Sequence, residues 1–215
     1  MQHGKSYELI AYWDQLRGTR AAPERGEIAP AAIARQLADI FILQTSGNAE
    51  AKFRLAGTRI CSIHGRELKD SSFELLWQTQ DRRSISRLLA NSMMSKRPVA
   101  INAEGTSARK RVALFEFTLL PLASEVHEQF LMGMIVALGQ PFWLESDSII
   151  ESRIRSITML DAMRDEYRQS GSRPPQSPRG AAYTIIGNKA DHLQLLDGGK
   201  SSISAKTRAK PIPRP

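Results

Sequence analysis

The chain has 215 residues, 41% of them apolar, enough for one ordinary core and an appendage. Its formal charge of +8 is lopsided: residues 1–163 carry 20 Lys and Arg against 18 Asp and Glu, whereas residues 164–215 carry 10 against 4. Cys61 is the only cysteine, which excludes an intramolecular disulfide and a four-cysteine zinc site.

The opening "MQHGKSYELIAYWDQLRG" has no apolar h-region, and "FLMGMIVALG" falls far short of the roughly 20 residues of a spanning helix. A reduced, soluble, cytoplasmic protein is expected. Leu9, Trp13 and Leu16 are spaced four and three apart, which predicts a first helix ended by Gly18. Pro30 suits a first helical position, with Ile33, Leu37 and Ile40 continuing an apolar face. "DIFILQT" and "KFRLAG", separated by "SGN", read as two strands. After Gly57 the pattern shifts to short helical turns. "DRRSISRLLANSMMSKR" is the clearest helix, with Asp81 as its cap, Ile85, Leu88, Leu89 and Met93 as its buried stripe, and Pro98 as its stop.

Three strand signals follow: "VAINAE", "RVALFEFTLLPL" and "FLMGMIVALG". In the second, Ala113, Phe115, Phe117 and Leu119 point one way, while Glu116 and Thr118 point the other, together with Val112, Leu114 and Leu120. The third is apolar on both faces, so the sheet must be covered on both sides. Leu131 and Ile135 are expected on the outer face with Leu114, and Met134 on the inner one. The order of elements predicts an α+β fold built on an antiparallel five-stranded sheet, with helices between strands two and three and N-terminal helices.

Residues 146–168 open on "SIIE", a capping-box pattern, and Ile150, Ile154, Ile157, Leu160, Met163 and Tyr167 recur near 3.5 residues. A helix is predicted there, with an extra strand as the alternative because "SRIRSITML" is rich in β-branched residues. Residues 169–215, rich in Pro, Ser, Gly and Lys, are expected to be a disordered basic tail.

Three segments resemble a PAS-like family common in alphaproteobacteria. They are Arg17, Gly18, Pro23 and Arg25; Arg54 to Thr58 with Gly65 to Leu68; and Pro141 to Leu144. Together they span roughly residues 10–145, which places a PAS-like domain at 1–145. The resemblance implies the PAS sensory fold and a module that binds small molecules, dimerises or passes a signal to an output partner. It also implies that a haem-binding member would carry a histidine on the long helix before strand three, and none stands in residues 81–97. Nor does "TRICSIHG" reproduce the surround of a flavin-adduct cysteine. The cofactor is therefore left open.

Cys61 and His64 are three apart and could form a thiolate–imidazolium pair, but no oxyanion motif accompanies them. A structural role is expected for both, with His64 satisfying helix-end carbonyls. "GGKS" lacks the leading glycine of a phosphate loop, and no G-x-S-x-G turn is present. The expected function is a non-catalytic PAS-like sensory or regulatory module of bacterial signal transduction. The expected pocket lining is Ile60, Trp77, Leu89, Met93, Phe115, Phe117 and Met134. A homodimer, a small-molecule ligand and a protein partner are the expected associations. A nucleic-acid-associated regulator using Lys206, Arg208, Lys210 and Arg214 is the alternative, less favoured because Tyr183 is the tail's only stacking ring. A cryptic enzyme is a third reading.

Overall fold

The computed structural model of the chain describes residues 3–46, 50–123 and 128–160. The expected tail, 169–215, and the end of the predicted C-terminal helix lie outside them. Among the described residues, six strands form one antiparallel sheet: β1 (Ile40–Ser46), β2 (Lys52–Ala56), β3 (Val99–Ser107), β4 (Val112–Pro121), β5 (Glu128–Ala137) and β6 (Ile149–Met159). Their order across the sheet is β2-β1-β5-β4-β3-β6. The fold is α+β, with one more strand than the five predicted.

That sixth strand corrects the predicted helix. Residues 149–159 pair along β3, from Val99↔Met159 to Ser107↔Ile149. Ile154, Ile157 and Thr158 favour the pleated state, and an open edge of β3 supplies backbone partners that an isolated helix would lack.

Among the described residues, α1 (Gly4–Arg17), α2 (Thr58–His64) and α3 (Thr79–Ser95) dress the sheet. Leu9 and Trp13 of α1 are buried, and Gly18 ends it with a positive φ of 56°. The segment Pro30–Asp39 is a kinked 3-10 helix rather than an α-helix. Consequently Ile33 is buried, Leu37 is exposed, and Ile40 already belongs to β1. α3 begins two residues before Asp81, so Asp81 is not its cap. Its carboxylate instead accepts the Ile154 N–H of β6 at 2.9 Å, which blunts part of that edge strand.

Two cores flank the sheet. The inner one gathers Phe41, Phe53, Ile60, Phe73, Trp77, Leu89, Phe115, Phe117 and Ile135 beneath α2 and α3. The outer one packs Leu9 and Trp13 on Leu120, Phe130, Met132, Met134 and Val136. One chain thus covers with α1 much of its own outer face.

Candidate functional site

The inner core is built around Trp77. Register places Phe115 and Phe117 on the inner face of β4, opposite Ala103 and Ile101 of β3. The Trp77 ring lies 4.9 Å from Phe117 and 6.0 Å from Phe73, and Phe73 lies 5.6 Å from both Phe41 and Phe53. Such tilted and stacked contacts each add about 0.5–1.5 kcal/mol beyond burial. Ile60 from α2 and Leu89 and Met93 from α3 pack on these rings from the helical side. Six of the seven predicted lining residues therefore meet in one cluster.

Met134 does not. It stands opposite Thr118 and Ile40, on the face covered by α1. Leu131 and Ile135, expected outside, turn into the inner core. A strand apolar on both faces offers no alternation to fix its phase, and a one-residue slip exchanges the faces.

Sequence reasoning missed Ser152. It is buried on β6 and forms an isolated parallel bridge with Trp77, where the Gln78 N–H donates to the Ser152 carbonyl at 2.9 Å. Among the described residues, neither the Trp77 Nε1–H nor the Ser152 Oγ has a hydrogen-bond partner. Buried polar groups are normally satisfied, so two orphans at one bridge beside the aromatic cluster are the chemical feature of this core. The only sequence signal was the two-residue alternation that, read as a strand, turns Ser152 inward.

Cys61 and His64 do not form a reactive pair. The His64 imidazole is buried and its Nδ1 meets the Ile60 carbonyl at 2.9 Å. Burial lowers its pKa, disfavouring the imidazolium that a thiolate would need. The Cys61 thiol lies 3.5 Å from Glu67 Oε1, and burial, with Glu67 nearby, pushes it up. Both changes oppose nucleophilic activation.

The segments that carried the resemblance hold the fold together. A Cβ on Gly57 would lie 2.3 Å from the Ala38 carbonyl oxygen, so only glycine lets α2 start against the 3-10 segment. Gly65 ends α2 at φ 61°. Asp39, buried, receives Lys5 Nζ at 2.8 Å and Arg59 at 2.5 Å, tying α1 to α2. Arg17 pairs with Asp14 at 2.7 Å, and the Arg25 guanidinium lies 4.5 Å from the centre of the Phe130 ring. Trp143 enters the inner core, whereas Phe142 stays exposed beside Arg111. Among the described residues no group of three or more His, Cys, Asp or Glu is placed to hold a metal, and no helix is long and apolar enough to cross a membrane.

A family model described as PAS domain matches residues 1–136. Among solved structures, the chain is similar to a Rhodobacter sphaeroides LOV protein (11% identity, 68% of this chain and 74% of that one, TM-score 0.41). It is also similar to the PAS-B domain of Drosophila melanogaster Cycle with bound glycerol (13%, 46% and 99%, 0.36). A third is a Vibrio cholera VqmA–ligand–DNA complex (10%, 71% and 64%, 0.40). No curated protein matches the chain. The family match covers more than half of the sequence, and the chain belongs to the PAS domain family of sensory and regulatory modules.

Proposed function

We propose that this PAS domain is a non-catalytic sensor of bacterial signal transduction. It binds a small molecule in the inner core and passes the bound state to a protein partner. The observation that carries the reading is the Trp77–Ser152 pair, a buried N–H and a buried hydroxyl without partners inside an apolar wall. A ligand with an apolar body and a hydrogen-bond acceptor satisfies both, as small-molecule sites commonly combine apolar walls with a few placed polar groups. Ile60, Leu89, Met93, Phe115 and Phe117 supply the wall. Because the rings lie in direct contact, a ligand must displace side chains, and that rearrangement of α2 and α3 is the signal.

The exposed Val112 and Leu114 form the part of the outer face that we assign to a homodimer contact. The test of the ligand reading is native mass spectrometry with an absorption spectrum of freshly purified protein. A retained small molecule, lost in Trp77→Phe and Ser152→Ala, supports it. A chain of bare polypeptide mass that also takes up nothing from a cell extract refutes it.

A further inference from the structure

We propose that Glu116 is a proton-operated latch, which ties the docking of the N-terminal helix α1 to pH. Glu116 sits on the outer face of β4 and is 1% exposed, directly across from Asn102 of β3 and Val136 of β5. The first turn of α1 lies over it. The His3 N–H donates to its Oε1 at 3.1 Å. The buried Ser6 hydroxyl stands beside the carboxyl and has no hydrogen-bond partner of full geometry.

The charged groups around it do not neutralise it. On α1, Lys5 is turned to Asp39. On β3, Glu104 is held by Arg153 at 3.4 Å and Arg155 at 3.2 Å. β5 offers Val136, and β4 itself offers Thr118. No described Lys or Arg forms an ion pair with Glu116. Burial raises its pKa, and Ser6 and His3 lower it by less. Ionised Glu116 is therefore a buried charge without a full partner, which is costly.

The neighbours favour the protonated form for a second reason. Asn102 spends its Nδ2 on Ser156 Oγ at 3.1 Å, which leaves its buried Oδ1 without a donor. The buried hydroxyls of Thr118 and Ser6 carry their own O–H and serve either form, so Asn102 Oδ1 is the acceptor that lacks a donor. A carboxylate can only accept, whereas a carboxylic acid brings an O–H to this cluster. Proton uptake from solvent at Glu116 thus supplies the missing donor and removes the unpaired charge together.

The sign follows from linkage. Docked α1 holds the Glu116 proton more tightly than the undocked, solvated state does. Docking is strongest below the ordinary carboxylate range and weakens as pH rises through the raised value. Loss of α1 then bares Leu120, Met132, Met134 and Val136 to solvent.

The test is residue-resolved hydrogen exchange of the full chain from pH 4.5 to 7, corrected for intrinsic rates. Protection of the α1 amides, relative to β4 and β5, should fall with rising pH by up to about tenfold per unit within the window. Glu116→Gln, which still accepts the His3 N–H, should remove the trend and leave α1 better protected at pH 7. His3→Asn, which retains a capping acceptor, should preserve the trend and so separate histidine titration from it. A flat profile in the unmodified chain, or an unchanged slope in Glu116→Gln, overturns the proposal. Should that variant not fold, carboxyl carbon NMR of the unmodified chain decides. All glutamates titrating at or below the ordinary range contradicts the latch, and one midpoint above it supports the latch.

Discussion

The Trp13 indole of α1 donates its Nε1–H to the Pro121 carbonyl at the end of β4, 2.8 Å away and fully buried. This bond fixes where the helix lies, because Pro121 pairs onward with Leu131 of β5. Trp13→Phe keeps most of the apolar area but leaves that carbonyl unpaired, so it should cost about 1–3 kcal/mol in urea denaturation. Trp13→Ala also opens a cavity and should cost about 3–5 kcal/mol. No loss in the Phe variant would mean that water replaces the bond.

Cys61 and His64 should behave as structural residues. A thiol pushed up by burial should react with a disulfide reagent more slowly than free cysteine at neutral pH. The lowered His64 pKa makes stability depend on pH in a defined direction. Below about 6.5 the unfolded chain takes up the proton first, so stability falls with pH until the folded-state value is passed. His64→Gln should remove that component, seen as a smaller difference between denaturation curves at pH 7.5 and pH 5.5.

Asp39 links two elements on opposite sides of the sheet's end. Asp39→Asn removes the negative charge and leaves one acceptor oxygen where Lys5 and Arg59 each held one, with an amide NH2 facing the other cation, which can return partly to water. The expected cost is about 1.5–3 kcal/mol, read from the denaturation midpoint. Hydrogen exchange should show α1 and α2 loosening together. Loosening of α1 alone would show that the Arg59 bond contributes little.

Leu114 tests the homodimer. It is half-exposed on the outer face, outside the cover of α1, so Leu114→Glu should not disturb folding. Analytical ultracentrifugation should show the unmodified chain as a dimer at tens of micromolar and the variant shifted toward monomer. Trp13 is unsuited to this test, because it is buried within its own chain. A monomeric unmodified chain would leave Val112 and Leu114 as ordinary surface residues.

Much of the frame was legible because single positions carried unambiguous signals. Leu9 and Trp13 lie on one helical stripe, and Gly18 ends it. The alternation of Phe115 and Phe117 with Glu116 and Thr118 phased β4 correctly. β5 had no such alternation, so Met134, Leu131 and Ile135 were placed on the wrong faces. β6 was read as a helix because Ile150, Ile154, Ile157 and Leu160 fit a helical spacing as well as a strand, and only the free edge of β3 decides between them. Ser152 was passed over, since a serine in a polar-looking stretch gives no sign that Trp77 lies against it. Glu116 was correctly turned outward, but its burial depends on α1, a tertiary contact that no local pattern encodes.

The measurement closest to the central claim is the indole N–H signal of Trp77 in a proton–nitrogen NMR spectrum, assigned with Trp77→Phe. The described residues give this N–H no partner, so a ligand that enters the inner core must change its environment. Adding the small-molecule fraction of a bacterial extract should move the Trp77 signal while leaving the Trp13 indole, bonded to Pro121, in place. The shift should vanish in Ser152→Ala if the ligand uses both groups. A Trp77 signal that stays fixed while surface amides respond would contradict an inner-core sensor and place recognition on the outside of the domain.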